Sequence, residues 1–124
     1  MSEQQTVDDC LFCKIIAGQV PSNKVYEDER VYAFKDIEPK AKVHVLVVPK
    51  QHYANIAKVA QADPELLAHM VEVAQGIADQ TYRGQFRLIC NTGELAGQSV
   101  FHAHAHVLTG EDLRDLPMSA SDQA

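Results

Sequence analysis

Val100-Phe101-His102-Ala103-His104-Ala105-His106-Val107-Leu108 sets a histidine at every second residue of an otherwise apolar run. Extended backbone alternates its side chains between two faces, so this spacing predicts a strand with three imidazoles on one side. Neighbouring histidines then stand roughly 6.6 Å apart, at about 3.3 Å per residue. Phe101, Ala103, Ala105 and Val107 make the opposite face, apolar and small enough to pack beneath a helix. Three uses of such a face are open: an exposed polar surface, a three-histidine catalytic zinc site, or an active site. Adjacent imidazoles repel when charged, so at least some are neutral near pH 7. A neutral imidazole can attack phosphorus, and its neighbours can donate hydrogen bonds to the phosphate oxygens.

Working back from this strand, Asn91 to Ser99 supplies two amides, two hydroxyls and two glycines at its entrance. Taken alone it reads as an ordinary polar loop, but such a loop can also turn N–H donors towards an oxyanion. Gln85 to Cys90 alternates with Phe86, Leu88 and Cys90 on one face, a further strand; Cys90 reads as a small buried hydrophobe. Asp63-Pro64-Glu65 is a helix start, and Leu66, Leu67, Met70, Val71, Val73, Ala74, Ile77 and Ala78 continue an apolar stripe to about Tyr82. Val43 to Val48 is nearly continuous β-branched sequence, a central strand stopped by Pro49. Lys24 to Glu27 and Val31 to Asp36 read as a hairpin across Asp28-Glu29-Arg30, and Cys10 to Ala17 as a short helical turn closed by Gly18. The sum is an α+β domain: about five antiparallel strands in a meander, with one long helix over one face.

The chain has 124 residues, a one-domain length, and 46% hydrophobic residues, which excludes a disordered chain. Residues 10–110 form the expected domain, with a polar, frayed N-terminus at 1–9 and a polar C-terminal tail at 111–124. A net charge of -6 argues against a large nucleic-acid footprint, so an anionic ligand must be met locally by N–H groups, hydroxyls and imidazoles. The apolar run 44–49 is too short to span a bilayer, and the polar start is unlike a signal peptide. Three cysteines without a signal point to a reducing, cytoplasmic setting. Cys10-x-x-Cys13 has three readings: a thioredoxin-like pair, free structural thiols, or half of a Cys₂His₂ zinc site completed by His52 and His102.

With these residues in view, Gly97 to Leu108 resembles the signature of the histidine-triad family, His-x-His-x-His followed by apolar residues. Phe12-Cys13-Lys14-Ile15-Ile16, Val20-Pro21, Tyr26 to Arg30, Ala33 to Ile37 and His44 to His52 are similar to the motifs of its Hint branch, the nucleoside phosphoramidases. The resemblance implies a homodimer with the sheet continued across it, and a purine nucleotide substrate. It implies that His104 attacks the α-phosphorus of a nucleoside 5′-phosphoramidate, that His106 hydrogen-bonds the phosphate, and that His102 and His44 orient the triad. Asp36 is expected at the ribose hydroxyls, Ile37 and Phe12 against the base, and Asn91, Gln98 and Ser99 at the phosphate or leaving group. The Cys10, Cys13, His52 and His102 positions resemble the structural zinc site of bacterial members, with the metal away from the phosphate. The tail Leu116-Pro117-Met118-Ser119-Ala120 departs from the Trp-Pro-Pro ending common in that branch, which leaves the leaving group open. Two rival functions stand beside this one: a Fhit-like dinucleoside polyphosphate hydrolase, and a nucleotide-binding regulatory or scaffold protein without significant turnover.

Overall fold

In a computed structural model, which describes residues 9–117, the elements are α1 (Leu11–Ile16), β1 (Lys24–Glu27), β2 (Val31–Lys35), β3 (Val43–Pro49), α2 (Ile56–Ala62), α3 (Pro64–Thr81), β4 (Arg87–Ile89), a 3₁₀ turn (Glu94–Ala96) and β5 (Ala105–Thr109). The expected frayed start lies outside the described residues except for Asp9, as does the tail from Met118 onward. All strand pairs are antiparallel and the sheet order is β1-β2-β3-β5-β4. The class is the expected α+β, but the last two strands do not meander: β5 slots between β3 and β4, leaving β4 at an edge.

Local chemistry explains each element. Cys10 caps α1 by accepting the Cys13 N–H on its sulfur. Asp28 closes the β1–β2 hairpin, its carboxylate accepting the Arg30 and Val31 N–H groups at 2.8 Å each. Asp63 caps α3 through the Leu66 N–H, with Pro64 at the first position. The sequence reading made no element of residues 55–62. There the Asn55 side chain caps α2 by accepting the Lys58 N–H, and the helix ends at Asp63, which already caps the next one.

The sheet has two buried faces. Val31, Ala33, Val45, Val47, Ala103 and Val107 pack beneath α3, meeting Leu66, Met70, Val73, Ala74 and Ile77. On the other side Tyr32, Phe34, Leu46 and Val48 pack with Cys10, Phe12 and Ile15 of the α1 region. Neighbours along β3 therefore serve different cores, which is why the strand reads as an unbroken apolar run.

Two expected strands are corrected. The run 100–108 pairs only from Ala105 onward, and residues 101–104 lie outside the ladder. Its partner β3 ends at Pro49, which has no N–H to donate; the Ala103 N–H turns instead to the Tyr53 carbonyl at 2.7 Å. The run 85–90 shrinks to three paired residues: Phe86 packs on the core, but Leu88 is 37% exposed on the free edge.

A polar clamp joins α3 to the β1–β2 turn. His69 meets the Asp28 carboxylate, which also accepts from Tyr26 at 2.7 Å, while Arg30 pairs with Asp63 at the start of α3. Burial opposes the charge on Asp28, yet the N–H groups of Arg30 and Val31 together with His69 and Tyr26 hold its carboxyl well below the usual range. The Asp28 contact in turn raises the His69 pKa against the opposing effect of burial, with Glu72 adding to the rise. A raised folded pKa means the clamp stabilises fully below the ordinary histidine value and fades as pH climbs through the raised one. Denaturant melts from about pH 6 to 9 should show wild type more stable than His69→Gln at the acid end, with the curves converging upward. Parallel curves would mean that the His69–Asp28 contact carries no proton linkage.

Candidate active site and metal centre

Obligate donors and acceptors assign every ring nitrogen that matters here. The Lys40 N–H points at His44 Nδ1 at 3.0 Å, so that nitrogen carries a lone pair. A neutral His44 then has its proton on Nε2, which donates to His106 Nδ1 at 2.9 Å. His106 must carry its own proton on Nε2, a buried atom with no hydrogen-bond partner among the described residues. His104 donates from Nδ1 to the His102 carbonyl at 2.7 Å, which leaves the lone pair on Nε2. His102 donates from Nε2 to the Pro49 carbonyl at 2.8 Å and keeps its lone pair on Nδ1. The histidine tautomers follow from main-chain groups, which cannot switch between donating and accepting.

Burial keeps the rings of His44, His102 and His106 neutral. His102 and His106 are fully buried, and His44 and His104 are each 3% exposed. Loss of solvent pushes His106 down to about 3, with repulsion from His104 and His44 adding to it. Burial likewise pushes His102 down to about 4, against the favourable contact with the Pro49 carbonyl. For His44 burial also lowers the pKa, while Asp36 pulls it up and Lys40 pushes it down. The His104 and His106 rings meet edge to face, with centroids 5.2 Å apart. One lone pair and one unused N–H thus sit side by side, suited to attack on phosphorus and to donation to one of its oxygens.

A second cluster lies directly behind. His102 Nδ1 stands 3.2 Å from Cys10 Sγ, 3.4 Å from Cys13 Sγ and 3.2 Å from His52 Nδ1, and Cys13 Sγ is 3.5 Å from His52 Nδ1. A tetrahedral ion bonded at about 2.3 Å to sulfur and about 2.0 Å to nitrogen separates its ligand atoms by roughly 3.3–3.8 Å. The set therefore fits such an ion, and two thiols with two imidazoles are the donors that zinc favours. The Pro49 carbonyl fixes the His102 ring from behind, as outer contacts do for metal ligands. Without a cation the Cys13 thiol stays protonated: burial, then the neighbouring Cys10, push it up to about 12. Asp36, His44 and His106 also lie within 4.8 Å of one another. They do not fit a metal, because binding through His44 Nε2 would put a proton on Nδ1, against the Lys40 N–H.

The remaining expected residues divide. The Asp36 carboxylate approaches His44 Nε2 at 3.5 Å and is only 8% exposed. Phe12, 3% exposed, sets its ring edge to face with His104 at 5.1 Å, while Ile37 is 93% exposed on the β2–β3 turn. Asn91 is half-buried and Ser99 exposed. The Gln98 side chain, expected at the phosphate or leaving group, holds its own loop: it accepts the Gly93 N–H and donates to the Ala54 and Val100 carbonyls. The sequence reading missed the Lys40 N–H and the Pro49 and Tyr53 carbonyls. Main-chain partners leave no mark in residue types, although Pro49 at the strand end marks where the ladder must stop.

Residues 9–115 match the family model described as the scavenger mRNA decapping enzyme C-terminal binding region. The protein hit of Bacillus subtilis (strain 168) is 45% identical over 102 residues, spanning 82% of this chain and 70% of its own. A solved HIT family hydrolase from Clostridium thermocellum superposes with a TM-score of 0.81 at 44% identity, covering 87% of this chain and 96% of that one. A zinc-bound histidine-triad family protein from Mycobacterium smegmatis does so with a TM-score of 0.78 at 32% identity, over 91% of this chain and 83% of its own. The chain belongs to the histidine-triad family. Among the described residues no helix is long and apolar enough to cross a membrane.

The buried neutral rings have a measurable consequence. A histidine whose folded pKa lies below its unfolded value binds its proton first in the unfolded chain, so stability falls as pH drops. For His106 the window runs from about 6.5 down to about 3, at roughly 1.4 kcal/mol per pH unit. Urea melts between about pH 7 and 5 should show this loss. Stability constant across that interval would mean that the imidazole is not held neutral by burial.

Proposed function

We propose that this chain is a hydrolase of nucleoside 5′-phosphoramidates of the AMP or GMP type. His104 Nε2 attacks the α-phosphorus, the P–N bond to the amine breaks, and the amine departs after taking up a proton. Water then releases the nucleoside monophosphate from nucleotidyl-His104. His106 Nε2–H donates to a phosphate oxygen throughout. The observation that carries this reading is the pairing of the His104 lone pair with the unused, buried His106 N–H. The solved Clostridium thermocellum relative bears the name of a hydrolase, which supports the same reaction type. In this reading Asp36 and Ile37 receive the nucleoside, Asn91 and Ser99 face the phosphate, and the protein works in the cytoplasm.

Two further features belong to the proposal. The cluster of Cys10, Cys13, His52 and His102 holds one zinc, which supplies rigidity at the base of the triad, as the zinc-bound Mycobacterium smegmatis relative suggests. Two copies pair through the free edge at β4, where Leu88 stands exposed, continuing the sheet between protomers.

His104→Ala should lower turnover of an adenosine phosphoramidate by several orders of magnitude while nucleoside monophosphate still binds. A variant retaining more than roughly a tenth of wild-type turnover, about 1.4 kcal/mol of barrier, would remove His104 as the nucleophile. A dinucleoside polyphosphate assayed alongside should be the poorer substrate. For the metal, protein purified without chelator should contain one zinc per chain, and Cys13→Ser should lose both metal and thermal stability while keeping measurable turnover. Elemental analysis finding no zinc in freshly reduced protein would reduce the two thiols to packing residues.

A further inference from the structure

The β2–β3 turn grips the His44 ring from both ends. Its Lys40 N–H meets Nδ1 at 3.0 Å and its Asp36 Oδ2 stands 3.5 Å from Nε2. The same aspartate is braced for this. Its other oxygen accepts the Glu38 N–H at 2.8 Å, and its own N–H donates to the His44 carbonyl at 2.9 Å. Its side chain is 8% exposed beside a His44 side chain that is 1% exposed.

We infer that Asp36 is a positioning residue for the triad: acting through His44, it reinforces the Lys40 N–H in holding the proton on His44 Nε2 and so leaves His106 with its own proton on Nε2, facing the phosphate. At low local dielectric a carboxylate beside one ring nitrogen favours the proton on that nitrogen. His44 Nε2 stands 3.5 Å from Asp36 Oδ2 and 2.9 Å from His106 Nδ1, and the second contact fixes the His106 tautomer. Through Asp36 the nucleoside site and the triad share one group, so occupation of the sugar site bears on the chemistry as well as on affinity. This last step rests on the phosphoramidase reading; the tautomer assignment does not.

Asp36→Asn keeps the shape and removes the carboxylate's share of the preference, because an amide donates as readily as it accepts, and leaves the Lys40 N–H alone to hold the tautomer. The direct probe is a long-range ¹H–¹⁵N correlation spectrum of the ¹⁵N-labelled full chain, recorded without substrate. Wild type should show His44 and His106 protonated on Nε2 and bare on Nδ1. In Asp36→Asn both nitrogens of His106 should move part of the way towards averaged shifts, and Asp36→Glu should bring back the wild-type pattern. The kinetic arm uses a 2′,3′-dideoxyadenosine phosphoramidate, which has no ribose hydroxyls for Asp36 to receive. On this compound Asp36→Asn should lower kcat about tenfold relative to wild type. An unchanged His106 pattern in Asp36→Asn, with the kinetic loss confined to KM for the ribonucleotide, would overturn the inference and leave Asp36 a sugar contact alone. If Asp36→Asn does not fold, Asp36→Ser tests the same pattern. No turnover of any phosphoramidate by wild type would count against the proposed reaction, while the spectrum would still decide the role of Asp36.

Discussion

The 2.7 Å hydrogen bond from His104 Nδ1 to the carbonyl of His102 is the contact on which the rest of the site turns. In a paired strand that carbonyl would face a neighbour's N–H and could not accept from a side chain two residues on. It is available because β3 ends at Pro49 and the chain peels away from the ladder before Ala105. The same break lets the Pro49 carbonyl accept from the His102 ring. One residue, His102, therefore fixes the tautomer of His104 with its main chain and joins the thiol cluster with its side chain. The cluster and His104 are two ends of one construction.

Burial gives that construction its chemistry. His44, His102, His104 and His106 are all buried at the sheet surface, and burial opposes a charge on His44, His102 and His106. Each buried polar atom then requires a partner, and the main chain supplies most of them: Lys40 N–H, His102 carbonyl, Pro49 carbonyl. Among the described residues His106 Nε2 is a buried atom that finds no such partner, held as a donor by the chain of contacts through His44. An unsatisfied buried donor costs on the order of 1–3 kcal/mol, which an anionic ligand at that position would offset.

Much of this was legible in the residues. Period-two spacing put Ala103 and Val107 beneath the helix and the histidines on the other side, and that partition holds even where the chain is no longer a strand. The Asp63-Pro64 start and the apolar stripe gave α3 to within a residue at its end, since capping and amphipathic packing are both written in side chains. Three things were hidden. Helix α2 begins at a lone Asn55 cap and is too short for its periodicity to stand out. The break before Ala105 depends on which strand lies alongside, which pattern alone does not reveal. The role of Gln98 looked chemical because an amide beside a histidine strand suits a phosphate, whereas its partners are three main-chain groups.

The central claim is that His104 forms a covalent bond to phosphorus, with its lone pair on Nε2. The most direct measurement mixes enzyme in excess with an adenosine phosphoramidate, quenches within the first turnover in alkaline denaturant, and maps the adducts by mass spectrometry. The account predicts a peptide spanning His104 that is heavier by one nucleoside monophosphate less water, decaying at the rate at which free monophosphate appears. Hydrolysis without any such adduct, or the adduct on His102 or His106, would contradict it.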